Sequence, residues 1–130
     1  MSIPYVYDAG ALIALDNNDR RMWVRHAMAL EEGRDIHVPA VVVSQAWRDG
    51  RRQVRLGHIL SSCRIEPVRL EIAKAAGTLC GKSGTSDVVD ATVVAMAALL
   101  GATIWTSDPG DIRRLADAAD VKPGLVIRTV

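Results

Sequence analysis

Phenylalanine is absent from this chain of 130 residues, so Val, Leu, Ile, Ala, Trp and Met must fill its core. Cysteine is scarce, and Cys63 and Cys80 belong to no C-x-x-C pair. That excludes a zinc site or redox pair of this kind and leaves two buried free thiols of a cytosolic protein as the expectation. The three histidines, His26, His37 and His58, are scattered and suggest no cluster. No apolar run approaches the ~20 residues that a membrane helix requires; the longest, Ala91 to Leu100, is half that length. Asp8 and Asp16 interrupt the early apolar stretch and no basic segment precedes it, so neither a signal peptide nor a membrane partner is expected and the location reads as cytoplasmic. There is no internal repeat, low-complexity segment or linker, and residues 1–130 read as one domain.

Lysine and glutamate are also scarce, with 3 Lys against 13 Arg and 4 Glu against 11 Asp. Arginine suits bidentate phosphate contacts, but its excess counts only where it clusters. A net charge of +1 argues against indiscriminate nucleic-acid binding and still allows a local basic face beside an acidic pocket. A hydrophobic content of 49% with 24% charge is ordinary for a folded domain.

Apolar runs and helix signals alternate along the chain. Residues 3–8 read as a strand ending at Asp8, followed by a helix from Ala9 to Leu15 and a second, capped by Asp19, to about Glu32. Asp35 to Val38 is a strand, and Pro39 suits the first turn of a helix that carries Val41, Val42, Gln45 and Trp47 and continues or breaks near Gly50. A helix over Arg52 to Ser61, a strand over Cys63 to Val68 and a helix from Arg69 to Cys80, stopping at Gly81, follow. Thr85 or Ser86 caps an apolar helix from Asp87 to Leu100. Ala102 to Thr106 is a fourth strand, Asp108-Pro109 starts a helix, and Leu125 to Thr129 is a last strand. The alternation predicts an α/β sandwich around a mostly parallel sheet covered on both faces. Ligands in such folds bind beyond the carboxyl ends of the strands.

Three aspartates stand where that rule looks for chemistry. Asp8 and Asp108 follow predicted strands, and each also suits helix capping; Asp111 completes a capping-box pattern with Asp108. Asp90 lies one turn inside a nearly all-apolar helix, where a carboxylate needs a cation or several donors. Asp87, three residues earlier, is either a second ligand or a solvated first-turn acid. Carboxylates without His or Cys suit Mg2+ or Mn2+, and such an ion on Asp8, Asp90 and Asp108 implies phosphodiester cleavage. Three acids suffice for one ion, whereas two ions ~4 Å apart normally need a fourth.

Arg48, Arg51, Arg52 and Arg55 are spaced i, i+3, i+4, i+7. On one helix they form a positive stripe, flanked by Gln45, for an RNA backbone or an acidic partner. Two other motifs are set aside. Gly81-Lys82-Ser83 lacks the first P-loop glycine, because Ala76 stands there. A phosphatase D-x-D after the first strand is excluded by Gly10.

Tyr7-Asp8-Ala9-Gly10-Ala11-Leu12-Ile13-Ala14, Asp90-Ala91-Thr92-Val93-Val94-Ala95-Met96-Ala97, and Thr106-Ser107-Asp108 with Asp111-Ile112 together resemble the PIN-domain nucleases, among them the VapC-type toxins of toxin–antitoxin pairs. The 18-residue step from Asp90 to Asp108 is similar too. The resemblance implies a three-layer α/β/α fold and Mg2+- or Mn2+-dependent cleavage of RNA. It implies a metal site on Asp8, Asp90 and Asp108 with Asp111 or Asp87 adding to it, a homodimer, and a cognate antitoxin that inserts an arm into the acidic groove. One position departs from the family pattern: Gln45 stands where glutamate is usual. The neutral amide keeps one carbonyl donor and loses a charge, which weakens metal binding, the two-ion geometry most. The alternative expectation is therefore a catalytically weak or inactive PIN-like module that binds RNA or an antitoxin.

Overall fold

The computed structural model describes residues 2–130. Five strands form one sheet: β1 (Tyr5–Tyr7), β2 (Ile36–Pro39), β3 (Arg64–Glu66), β4 (Thr103–Thr106) and β5 (Ile127–Thr129). Their order is β3-β2-β1-β4-β5, and every pairing is parallel. Seven helices connect them: α1 (Ala9–Asp16), α2 (Arg20–Glu31), α3 (Ala40–Ala46), α4 (Val54–Ser61), α5 (Leu70–Ser83), α6 (Val88–Leu100) and α7 (Pro109–Ala119).

The order of the strands sets the layers. From β1 to β2 to β3 the chain moves outward in one direction. It then crosses back to β4, on the other side of β1, and continues to β5. Right-handed crossovers place connections that run in opposite directions on opposite faces. Hence α1 to α4 cover one face and α5 to α7 the other, which is the three-layer α/β/α arrangement expected. The winding reverses between β1 and β4, and the carboxyl ends of these neighbours, Tyr7 opposite Trp105, form the crevice where such folds bind ligands.

The core is aliphatic, as the lack of phenylalanine requires. Val6, Leu12, Leu15, Val38, Leu56, Val93, Val94, Ile104, Ile112 and Leu115 are almost wholly enclosed. Tyr7 and His26 carry polar groups into the core. The Tyr7 hydroxyl bonds His26 Nδ1 at 2.9 Å, and His26 Nε2 reaches Ser62 Oγ at 3.0 Å. Since Ser62 Oγ donates to the Ile59 carbonyl, the imidazole donates from Nε2 and accepts from Tyr7. This satisfies all three groups without charge. The cysteines are free but only half-buried, not fully buried as expected.

Several boundaries differ from the sequence reading. Helix α3 ends at Ala46, with Trp47 extended as its C-cap, well before Gly50. Helix α5 runs through Gly81 to Ser83, and Gly84 in the left-handed region (φ 77°) stops it. One helical glycine costs only about 1 kcal/mol, which the packing of α5 on α6 outweighs. Asp87, not Thr85 or Ser86, caps α6, accepting from the Asp90 N–H at 3.0 Å.

Candidate metal-binding active site

Asp8 follows β1 and is 5% exposed. One carboxylate oxygen caps α1 by accepting from the Ala11 N–H at 3.0 Å, so the cap reading of this residue holds. Burial pushes its pKa up, opposed by hydrogen bonds from Thr106, Ala11, Gly10 and Ser107.

Asp108 lies two residues beyond β4. It occupies the N-cap position of α7 but makes no side-chain cap bond, so the expected capping box with Asp111 does not form. The turn is held instead by Thr106, whose hydroxyl accepts from the Asp108 N–H at 2.8 Å. Thr106 is fully buried and bonds Asp8 as well, so one hydroxyl ties the two strand-end acids together. Gly10 allows the approach. A Cβ there would overlap Ser107 Cβ and Oγ and lie 3.0 Å from its backbone nitrogen. The sequence reading did not single out either Thr106 or Gly10 as part of the site.

Asp90 sits in the first turn of α6, half-buried rather than buried. Its carboxyl is pushed up to about 7, first by burial and then by the negative charges of Asp87, Asp8 and Asp108. No Lys or Arg lies within ion-pairing distance of Asp8, Asp87, Asp90, Asp108 or Asp111 among the described residues. Asp111, fully exposed, is raised by its hydrogen bond with Asp108 and by that residue's charge.

Asp8, Gln45, Asp87, Asp90 and Asp108, together with Arg48 and Ser107, line one cavity of about 420 Å³. Asp111 opens onto an adjoining hollow with Asp87, Asp90 and Arg114. Its oxygens still come within 4.8 Å of those of Asp90 and Asp108. The oxygens close enough to share one ion are therefore those of Asp90, Asp108 and Asp111, while Asp8 lines the same main cavity as Asp90 and Asp108. Crowded carboxylates without a paired cation, one of them with its pKa raised by burial and by its neighbours, are the donor set a hard divalent ion completes. A separate hollow of about 320 Å³, lined by Val41, Val68, Ala73, Ala76, Gly77, Val88 and Thr92, has no titratable group and no part in this chemistry.

The four arginines do not form the expected stripe. A turn over residues 47–53 separates α3 from α4 and scatters them. Gln53 fixes that turn: its carbonyl accepts from the N–H groups of Arg48 and Asp49, and its amide donates to Asp16 and the Ala46 carbonyl. Arg48 lines the cavity, Arg55 donates to the Asp16 carbonyl, Arg52 pairs loosely with Asp49 at 3.9 Å, and Arg51 is exposed.

Comparisons with known proteins bear on the fold and the family. No curated protein matches the chain. Among solved structures, VapBC2 from Rickettsia felis bound to a DNA fragment from its promoter aligns with a TM-score of 0.73 and 15% identity, covering 98% of this chain and 99% of that one. DNA-bound VapBC from Salmonella typhimurium gives 0.70 and 14%, covering 98% of each. FitAcB from Neisseria gonorrhoeae gives 0.66 and 17%, covering 95% of each. At such identities the likeness is one of fold. The PIN-domain family model matches residues 5–118. That span takes in Asp8, Gln45, Asp90, Asp108 and Asp111, and the chain belongs to the PIN-domain family.

Proposed function

We propose that the protein is a Mg2+- or Mn2+-dependent endoribonuclease that acts as a toxin on cellular RNA in the cytoplasm and is neutralised by a cognate antitoxin. The observation that carries this reading is the gathering of Asp8, Asp90 and Asp108 on one cavity at the reversal of strand order, with the oxygens of Asp90, Asp108 and Asp111 within 4.8 Å of one another. These three would hold the ion, with Asp87 and Asp111 on its flank. When bound, a divalent cation supplies a Lewis acid that lowers the pKa of water and offsets charge on the phosphate. The chain's own contribution is positional. Thr106 and the α1 cap fix Asp8, and the Asp87 cap fixes the start of α6.

The antitoxin reading rests on the solved relatives, which are toxin–antitoxin complexes. Arg51, Arg52 and Arg55 then serve RNA or the antitoxin from the rim, and Arg48 from inside. We assign self-association as a homodimer to the apolar hollow beside the exposed Val88 and Val68. Among the described residues no single helix is long and apolar enough to cross a membrane.

A second reading, a weak or inactive RNA- or antitoxin-binding module, is kept by Gln45, which lines the cavity as a neutral group. Cleavage of total RNA with Mg2+, Mn2+ or EDTA separates the two. The nuclease reading expects metal-dependent cleavage by wild type that Asp90→Asn abolishes. Silence from wild type with activity gained in Gln45→Glu favours the module.

A further inference from the structure

Arg48 is the one cation lining the cavity among the described residues. Its Nη1 is tied down at the carboxyl end of α3, donating to the Ser44 carbonyl at 3.0 Å and the Trp47 carbonyl at 2.6 Å. Carbonyls at a helix C-terminus favour such a cation. Its backbone N–H is held by Gln53 at 2.6 Å, and Gln53 is itself anchored to Asp16 and Ala46. The anchoring consumes both hydrogens of Nη1. The Nε–Nη2 edge, the fork that matches two oxygens of a phosphate, has no partner among the described residues. Gln45 lines the same cavity and carries no charge that would pair with the guanidinium.

We propose that Arg48 is a built-in cation of the active site. Its Nε–Nη2 edge clamps the non-bridging oxygens of an RNA phosphodiester, supplying positive charge that a second divalent ion would otherwise bring, and the site works with one divalent ion. This inference rests on the nuclease reading above. The neutral Gln45 and the positive Arg48 act together, because a positive guanidinium and a second divalent ion repel each other in one small cavity. The acids that would hold the ion and the open fork of Arg48 line the same cavity, so a phosphate bound there is offered both.

Two readouts test this. Calorimetric titration with Mn2+ alone counts ions per chain in wild type, Arg48→Gln, Gln45→Glu and the double variant Gln45→Glu/Arg48→Gln. We expect one ion in wild type and both single variants, and two in the double variant. Binding of a fluorescent random-sequence RNA pool is then measured in the Asp90→Asn background, beside cleavage in the native background. Arg48→Gln is expected to weaken RNA binding about 10-fold and cleavage about 100-fold, while Arg48→Lys, lacking the fork, recovers only a small part. Arg48 is exposed, and unchanged thermal midpoints will show that its variants fold. Two ions in wild type, a double variant that still holds one, or RNA binding and cleavage unaffected by Arg48→Gln each overturn the proposal. Loss of affinity for an acidic peptide alone would also overturn it, by assigning Arg48 to a protein partner. If wild type holds one ion and Arg48→Gln weakens RNA binding, yet no protein cleaves, the clamp stands and the nuclease reading fails.

Discussion

Replacing Asp90 with Asn should make the metal-free protein more stable, although it removes a central ligand. In the folded chain this carboxyl is pushed from an ordinary 3.8 up to about 7 by burial and by Asp87, Asp8 and Asp108. The folded state therefore holds a proton that the unfolded state has lost between these two values. Stability falls as pH rises from about 4 to about 7 and stays low above that. At about 1.4 kcal/mol per pH unit the full gap corresponds to about 4 kcal/mol. The side chain is only half-buried, and solvent screening reduces the penalty to about 1–2 kcal/mol. Asparagine carries no charge and removes it. In EDTA at pH 8, Asp90→Asn should melt about 5 °C above wild type, for a domain of this size. Near pH 4 the two should melt together. Saturating Mn2+ should reverse the order, because only wild type gains from binding. Melting curves from pH 4 to 8 check all three arms. A variant less stable than wild type at pH 8 in EDTA would refute the electrostatic account of the site.

The same crowding governs cation binding. Mn2+ must displace the Asp90 proton below pH 7, so its Kd should rise up to about 10-fold per pH unit there and level off above, as titrations at several pH values will show. Gly10→Ala should force α1 away from Ser107, cost about 1–3 kcal/mol in denaturant unfolding, and lower Mn2+ affinity by separating Asp8 from Asp108. Tyr7→Phe should cost about 1–3 kcal/mol in the same assay, because it strands His26 Nδ1 in the core. Val88→Glu should shift light-scattering mass to the monomer while leaving Mn2+ binding intact.

The sequence made the frame legible because the frame depends on local signals. Apolar runs ending in Asp8 and Thr106, the cap at Asp19 and the small-residue helix behind Asp90 each declare themselves within a few residues. Parallel order and the position of Asp8 and Asp108 follow from that alternation. What stayed hidden depends on contacts far apart in the chain. Four arginines at helical spacing carry no apolar face that would oblige a helix to form. The turn that disperses them is fixed by Gln53 reaching Asp16, 37 residues away. The role of Thr106 was hidden because every residue of β4 is buried, and only the pairing of β1 with β4 shows which buried hydroxyl faces Asp8. Asp108 looked like a cap because Asp-Pro is a good one. The Thr106 hydroxyl took over the turn, which left the Asp108 carboxylate for the cavity.

The central claim is that Asp8, Asp90 and Asp108 form a divalent-cation site. Anomalous diffraction from crystals grown with Mn2+ above pH 7 tests it most directly. The account predicts one strong peak bounded by these three carboxylates, at about 2.1–2.2 Å from the nearest oxygens, and none in Asp90→Asn crystals. A peak elsewhere, or its persistence unchanged in Asp90→Asn, would contradict it.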